Sequence, residues 1–380
     1  MTDTAPRLDP AIISGRGRGR LALHLAPWLA VAAMAAAALW PRRGEPWRKA
    51  PALPRHRTPA ELDAAEPGRG RRAHWWWSIP LLGWKDILWR TYREMGRDRL
   101  PALAGGVTFY ILLATFPALT AFVSLYGLFS DAETVGRQLS HISAFLPHEA
   151  VKLISGQVLA LASRRHATLS TAFVISTALS VWSANAGMKA LVDGLNITFD
   201  ETEKRDYVRR SIFTYAATSA ALIFFALVAS VIIAAPVVFQ HLHLEKPRLW
   251  WAPARWLIVF LIAAAGLSLL YRYGPSRRHA KWRWVAFGGL LAALVWMTVS
   301  LAFSWYVNNV AHFGATYGPL SAFIAYMLWV WVSAMVVLLG AELNAEIEHQ
   351  TARDSTTGGE KPLGARGAVM ADTVGPARAG

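Results

Sequence analysis

Long runs of apolar residues dominate the middle of the chain. A helix needs about 20 apolar residues to cross a hydrocarbon layer of about 30 Å. Six segments satisfy this requirement: Ala102–Phe129, Ala167–Val192, Ser211–Phe239, Arg255–Tyr271, Trp284–Val307 and Leu320–Ala341. Between Arg283 and Glu342 there is no Asp, Glu, Lys or Arg. The pattern therefore predicts an all-α, polytopic membrane helix bundle with six core transmembrane helices.

A seventh apolar segment, LALHLAPWLAVAAMAAAALW at residues 21–40, precedes this core. Its length predicts an additional N-terminal span, although Pro27 interrupts it near one end. The small residues at Ala35–Ala38 leave open the alternative of a removed signal sequence. Residues 41–80 are rich in Pro, Arg and Ala, which predicts a disordered linker. Residues 1–80 thus form an N-terminal extension.

The basic residues indicate the orientation of the core. Lys and Arg cluster before the first core span, between the second and third, and between the fourth and fifth, whereas His312 is the only basic residue between the fifth and sixth. Cytoplasmic loops of membrane proteins collect Lys and Arg. We therefore expect residues 81–100 and the C-terminus to lie in the cytoplasm. The longer 130–166 connection, with four basic residues, is expected to face out.

Three segments outside the spans have patterns of their own. Residues 81–100 place Leu81, Trp84, Ile87, Leu88 and Tyr92 on one helix side and charges on the other, as in a helix lying on the inner leaflet. Residues 130–166 have the pattern of two short amphipathic helices that cover the outer mouth. Residues 351–380 are polar and Gly-rich, which predicts a flexible cytoplasmic tail.

Composition restricts the chemistry. The 380 residues are 54% hydrophobic, include no Cys and carry a formal net charge of +15. The lack of Cys excludes a disulfide, a thiolate metal site and a cysteine nucleophile. Basic cytoplasmic loops facing anionic lipid account for the positive charge. The expected partners are therefore membrane lipids and not nucleic acid; the pattern determines no oligomeric state.

No motif for catalysis is evident. The segment HLHLE at 241–245 lacks the further His and Asp ligands of a metal-dependent hydrolase, so a turn at the outer end of a span is the better interpretation. The segment GATYGPL at 314–320 has the Gly-Tyr-Gly order of a channel filter, but Gly and Pro there favour a hairpin turn. No Gly-rich phosphate loop and no Gly-x-Ser-x-Gly elbow occurs. We expect no catalytic residue, no metal and no cofactor, and a protein that is not an enzyme.

One polar stripe interrupts the apolar pattern. The segment VWSANAGMKALVDGLN carries Asn185, Lys189, Asp193 and Asn196, whose spacing places them on one helix face. Near the end of the last span, Glu342 and Glu346 also share a face, and both are candidates for the same polar substrate path. The stripe is either a polar substrate path inside the bundle or the place where the helix leaves the membrane.

The depth of these residues suggests a pairing. Both of these spans run inward under the predicted topology, so Lys189 and Glu342 should lie at similar depth. We hypothesise that Lys189 faces the bundle interior and pairs with Glu342 or with Asp193. In that case Lys189, Asp193 and Glu342 would stand at the inner mouth of a substrate path.

Four segments of the core are distinctive when they are taken together: DRLPALAGGVTFYILLATFPALTAFVSLYGLF, VWSANAGMKALVDGLN, YRYGPSRRHAKWRW and FGATYGPLSAFIAYMLWVWVSAMVVLLGAELNAE. This set resembles the YihY/BrkB family of bacterial inner-membrane proteins. The resemblance covers about residues 81–350 and implies the architecture of that family and an inner-membrane location. Members were once named ribonuclease BN; one is linked to serum resistance and another to lipid movement. The resemblance therefore implies a transporter or flippase of a lipid-like or amphiphilic envelope component. The alternative is a non-transporting envelope factor that binds a lipid or protein partner.

Overall fold

Helices are the only extended regular secondary structure in the part of the chain that the structure describes. The structure, a computed structural model, describes residues 58–129, 166–229, 231, 246–311 and 318–378. Within these ranges the only pairing of extended backbone is an isolated antiparallel bridge between Ala280 and Thr356. The all-α prediction is confirmed.

Several predicted features lie outside the described residues. They are the N-terminal segment 21–40, nearly all of the 130–166 connection, HLHLE at 241–245 and most of GATYGPL at 314–320.

The α-helices of the described part, numbered in chain order, are α1 (Pro59–Ala65), α2 (Leu81–Arg97), α3 (Leu100–Phe129), α4 (His166–Thr198), α5 (Tyr207–Ala229), α6 (Lys246–Tyr273), α7 (Trp282–Asn309), α8 (Ser321–Gln350) and α9 (Val369–Asp372). Short 3-10 helices cover Trp76–Ser78 and Gly318–Leu320.

Five of the described helices are long and apolar enough to cross a membrane. These segments are Leu100–Ala121 in α3, Tyr207–Val228 in α5, Ala254–Tyr273 in α6, and the whole of α7 and α8. The remaining predicted core span, 167–192, forms the larger part of α4. This helix has 33 residues, about 50 Å at 1.5 Å per residue, and it packs along α3 in the largest helix–helix interface described. Its polar residues lower its hydropathy, so length and packing, more than hydropathy, place it in the bundle.

Helix α8 is the centre of the bundle. It packs against α7, α3, α2 and α4. Small residues allow these close contacts: a Cβ atom at Gly194 of α4 would lie 2.9 Å from Leu338 of α8, and one at Gly288 of α7 would clash with the Asn344 side chain of α8. In contrast, α5 makes its main contacts with α4 and α6 only, and both interfaces are small. The bundle is therefore tight around α8 and loose around α5.

The amphipathic helix predicted at residues 81–100 is present as α2, but its faces are used differently. Ile87 is fully buried, and Trp84 packs in the same apolar cluster. Leu81 and Leu88, predicted on the same side, are exposed. Arg90, on the predicted charged side, is buried. Helix α2 thus packs against the bundle on one face, which includes part of its charge, and presents an apolar edge outward.

The predicted disordered linker and flexible tail are wrong for the residues that the structure describes. Residues 58–80 and 351–378 pack together against α2 and the C-terminal end of α8; we call these two segments the end cap. Arg71 is 1% exposed and donates to the carbonyl oxygens of Gln350 (3.1 Å) and Gly375 (2.7 Å). Arg366, also buried, donates to the carbonyl oxygens of Ala352 and Ala371. The Ala352 N–H in turn donates to the Arg71 carbonyl oxygen (2.9 Å). Hydrogen bonds between the two segments and within the second one therefore order these polar residues.

The connections with the predicted inward orientation lie at one end of the bundle. The Ser276 N–H donates to the Asn196 side-chain oxygen (2.8 Å), which joins the connection after α6 to the end of α4. The Lys281 N–H donates to the Ser355 carbonyl oxygen (2.8 Å), which joins the same connection to the end cap. The contacts therefore agree with the alternation of the predicted topology. That this end faces the cytoplasm stays a prediction from the positive-inside rule.

Candidate functional site

A cleft of about 300 Å³ opens between α3, α4 and α5. Its lining combines two tyrosines, a serine and three charged side chains: Tyr110, Ala186, Lys189, Ala190, Asp193, Tyr207, Arg210 and Ser211. The cleft lies where α5, the loosely packed helix, begins. Half of the predicted polar stripe is thereby placed on a cleft between membrane helices.

The four stripe residues divide according to their angle around α4. At about 100° per residue, Lys189 and Asp193 are rotated by about 40° and 80° from Asn185, and Asn196 by about 20°. Asn185 and Asn196, at the smaller angles, are buried at 3% and 4% exposure. Lys189 and Asp193, at the larger angles, line the cleft. A single helix face therefore serves two environments.

The predicted pairing of Lys189 is wrong. Asp193 pairs with Arg210 of α5 instead, at 2.6 Å between Nη2 and Oδ1. The Lys189 ammonium lies 5.7 Å from the centre of the Tyr207 ring. Among the described residues, no carboxylate lies within 4.0 Å of Lys189. Since Asp193 neutralises Arg210, the cleft has a surplus positive charge, which is the charge of Lys189.

The register of α4 and α8 explains why Glu342 is out of reach. Leu338 packs against Gly194, and Glu342 lies four residues further along α8. Because the two helices run in parallel, Glu342 is level with Thr198, nine residues beyond Lys189 and about 13 Å further along the axis. Glu342 is fully buried, and neither carboxylate oxygen has a hydrogen-bond partner among the described residues. The prediction that Lys189 and Glu342 lie at similar depth is therefore wrong.

Asn196 and Glu346 have structural contacts. The Asn196 amide donates to Glu203 (3.1 Å) and its oxygen accepts the Ser276 N–H. Burial opposes ionisation of Glu203, but hydrogen bonds from the Arg205 N–H and the Ser276 and Asn196 side chains lower the pKa of Glu203. Asn196 therefore ties α4 to two connections at the inner end.

Glu346 forms a buried ion pair with Arg90 of α2. Arg90 also donates to the side chain of Gln350 (2.7 Å) and to the Pro376 carbonyl oxygen (3.1 Å). The contacts show Glu346 as part of the junction between α2, α8 and the end cap. They place it outside the cleft.

Sequence reasoning missed the partners that define these positions. Arg210, which follows the connection after α4, is the ion-pair partner of Asp193, and Tyr207 forms the wall beside Lys189. A possible signal was spacing, because Tyr207 and Arg210 lie one turn apart at the start of α5. Tyr110 carries no such signal, since its contact depends on how α3 packs against α4. In the described part of the chain, no group of three His, Asp or Glu side chains is arranged to hold a metal ion.

Comparison with known proteins identifies the group to which this bundle belongs. A family model described as virulence factor BrkB matches residues 91–363. The chain belongs to the BrkB family. The match begins ten residues after the start of the predicted family domain at 81 and extends into the end cap, so the first half of the cap, 58–80, lies outside the match.

Curated relatives of this BrkB-family chain are distant in sequence. The chain is 28% identical over 272 residues to the "Putative ribonuclease-like protein YfkH" of Bacillus subtilis, covering 69% of this chain and 93% of that protein. It is 25% identical over 280 residues to a UPF0761 membrane protein of Tolumonas auensis, covering 71% and 88%. A UPF0761 membrane protein of Ralstonia nicotianae is 24% identical over 274 residues, and the match spans 71% of this chain and 60% of that one. No solved structure matches the chain.

The family and the helices together define the class of protein. The chain is an integral, multi-pass membrane protein of the BrkB family, since its described part contains several helices of membrane-spanning length.

Proposed function

We propose that this protein moves an amphiphilic, lipid-like envelope component across the bacterial inner membrane. The observation that carries the proposal is the cleft of about 300 Å³ between α3, α4 and α5, with the surplus charge of Lys189 on its wall. An ionisable side chain without a countercharge is costly near hydrocarbon, and in membrane proteins it generally marks a substrate path.

The composition of the cleft suits an amphiphile. Lys189, Arg210 and Ser211 offer donors for an acidic or polar headgroup. Further along α5, Leu222 and Phe225 lie within about 40° of the cleft residue Ser211 around the helix axis, and both are exposed. A headgroup can therefore bind among the polar groups while its hydrocarbon chains stay in contact with apolar surface.

The proposal does not include catalysis. The name of YfkH refers to ribonuclease-like character in that protein, and we propose that the present chain is not an enzyme. The basis is the sequence, which lacks a complete ligand set for metal-dependent RNA cleavage. The alternative of a non-transporting factor that binds a lipid or protein partner makes a different prediction in the test below.

The test is lipid movement in reconstituted liposomes. A fluorescent anionic phospholipid is placed in one leaflet, and its transfer to the other is followed by chemical quenching from outside. We expect transfer above that of protein-free liposomes. Lys189→Ala should slow it about tenfold, which corresponds to the loss of about 1.4 kcal/mol of binding.

Arg209→Ala provides the matched control. Arg209 is adjacent to Arg210 in sequence, but its side chain is 83% exposed and pairs with Asp206, outside the cleft lining. This variant should transfer lipid at the unchanged rate. Transfer no faster than in protein-free liposomes refutes the transport proposal. Lipid binding without transfer, weakened by Lys189→Ala, would favour the non-transporting alternative.

A further inference from the structure

A second polar site lies below the cleft, around Glu342. This carboxyl group lies where α8 meets the start of α3 and the end of α4, between the fully buried apolar residues Leu338 and Ala345. Its own exposure is 0%, and both oxygens lack a hydrogen-bond partner among the described residues. Buried carboxylates are normally paired or hydrogen-bonded, because burial strongly disfavours the charged form. The site therefore favours a carboxyl group that holds a proton.

The charges that face Glu342 from neighbouring elements are mostly negative. Glu94 of α2, Asp98 after α2 and Asp200 after α4 all act on it electrostatically, as does Glu346 on its own helix. Negative neighbours make the ionised form still less favourable. The cations nearby are already engaged: Arg97 pairs with Glu94, and Arg90 with Glu346.

The remaining elements packed against α8 add no cation that pairs with this carboxyl. Helix α3 contains no charged residue. Arg283 at the start of α7 lies over the Trp75 ring, and Arg272 of α6 donates to the Ala280 carbonyl oxygen (2.7 Å). The acidic residue of α9, Asp372, accepts a hydrogen bond from the Arg366 backbone N–H. Lys189 of α4 lies in the cleft, about 13 Å from the level of Glu342 along the axis of α4.

Two of the acidic residues that act on Glu342 are partly exposed. Glu94 and Asp98 are both half-buried. Burial, and then the neighbouring carboxylate of Glu94, raise the pKa of Asp98 to about 7. Asp98 can therefore take up and release a proton near neutral pH. The backbone fixes its position, since Arg99 adopts a positive φ of 53° at the corner between α2 and α3.

We propose that Glu342 is a proton-binding site, loaded from the end-cap side of the membrane through Asp98 and Glu94. Proton binding forms one O–H bond on Glu342 and removes one proton from the water at that side; no other reactant is needed. The proposal that this proton drives movement of the substrate rests on the transport function proposed above. The proton site itself does not.

A proton fits the site better than a metal ion. Within the described residues, the acidic side chains do not form a group that could hold a metal, and Glu346 is already engaged by Arg90. A proton needs only one oxygen of one carboxyl group. The buried, unpartnered Glu342 supplies that oxygen, and Glu94 and Asp98 are the partly exposed carboxyl groups that act on it.

The first test is labelling of the full chain in lipid nanodiscs with dicyclohexylcarbodiimide, a reagent for protonated carboxyl groups in apolar surroundings. Peptide mass spectrometry identifies the modified residue. We expect an adduct on Glu342 whose yield falls as the pH is raised, because only the protonated carboxyl group reacts. An unlabelled Glu342 at every pH overturns the proposal, and this measurement needs no variant.

Infrared spectroscopy of the same samples supplies the second test. At a pH well above 7, where Asp98 is ionised, the carbonyl stretch of a protonated carboxyl group should be lost in Glu342→Gln, which replaces the protonated acid by a neutral side chain of the same shape. It should persist in the control Asp193→Asn, since Asp193 is paired with Arg210. Asp98→Asn should slow the exchange of this proton for deuterium. Persistence of the band in Glu342→Gln, or unchanged exchange in Asp98→Asn, contradicts the site or the route respectively.

These results separate the two proposals. Labelling of Glu342 without lipid transfer would leave the proton site in place and refute transport of the lipid tested. Lipid transfer with Glu342 unlabelled would do the reverse.

Discussion

Arg277 and Glu348 offer the sharpest test of the packing at the inner end of the bundle. Their side chains are both 0% exposed, and two hydrogen bonds of 2.8 Å join the guanidinium group to both carboxylate oxygens. The Ser355 hydroxyl adds a third contact to Glu348 at 3.2 Å. The guanidinium also lies 4.0 Å from the centre of the Phe199 ring. The pair thus connects the turn after α6, the end of α8, the end cap and the residue that follows α4.

Removing one partner should be expensive. Arg277→Ala leaves Glu348 buried with the Ser355 hydroxyl as its remaining contact, and breaking a buried pair in this way costs about 3–5 kcal/mol. Arg277→Lys keeps the charge but loses the paired geometry; loss of one charged hydrogen bond costs about 1.5–3 kcal/mol. Replacing both residues together, as Arg277→Met with Glu348→Leu, should cost less than Arg277→Ala alone, because no unpaired charge is left.

The measurement is the free energy of unfolding in mixed detergent micelles, with helix content as the signal. Arg209→Ala is the control, since its pair with Asp206 is exposed and surface changes stay within about 0.5 kcal/mol. If Arg277→Ala costs less than about 1 kcal/mol, the pair behaves as a surface ion pair. The reasoning about its burial would then be refuted.

Three further predictions concern the chain outside the cleft. Folding raises the pKa of Asp98 from 3.8 to about 7, so the folded protein binds this proton more tightly than the unfolded chain. The free energy of unfolding should therefore fall as the pH rises from about 4 to about 7, and Asp98→Asn should flatten this dependence when unfolding is measured against pH. Removal of 351–380 should lower the unfolding temperature in detergent, since it exposes Arg71 and takes away the Gly375 carbonyl oxygen that accepts its hydrogen bond. An unchanged temperature would mean that the second segment of the end cap adds no stability. The pure protein should not cleave RNA in the presence of divalent metal, and cleavage lost in the double variant His241→Ala, His243→Ala would contradict this.

The membrane helices were predictable from sequence because burial in lipid constrains each helix separately. The uncharged stretch from 284 to 341 becomes α7 and most of α8, with a short 3-10 helix before α8. Hydropathy is a local property, and one sequence contains all of it. The polar stripe was also local, and its helix spacing correctly indicated a shared face on α4.

The pairing of the stripe was not predictable in the same way. Whether Lys189 meets Glu342 depends on the relative register of α4 and α8, which is determined by the contact of Gly194 with Leu338. These residues are 144 positions apart, and no periodicity within either helix reports their contact. Asp193 pairs instead with Arg210, which in the sequence is only one of several basic residues between the second and third spans.

The end cap shows the limit of composition as a guide. Residues 58–80 and 351–378 have the Pro, Gly and charge content typical of disorder. That content indicates only that neither segment can bury enough apolar surface alone. It contains no information about Arg71, whose acceptors lie 279 and 304 positions away, so order here is a property of the folded whole.

This distance along the chain determines when the protein can complete its folding during synthesis. Arg71 and Arg90 emerge from the ribosome long before the carbonyl groups of Gly375 and Pro376 that accept their hydrogen bonds. Because chains are made and begin to fold from the N-terminus, both guanidinium groups must wait in water, or at the lipid surface, while the membrane helices insert. Closure of the cap is therefore a late step of biogenesis. A chain arrested before residue 375 would have an inserted bundle with its inner end still open, in a form that a quality-control protease could distinguish from the finished protein.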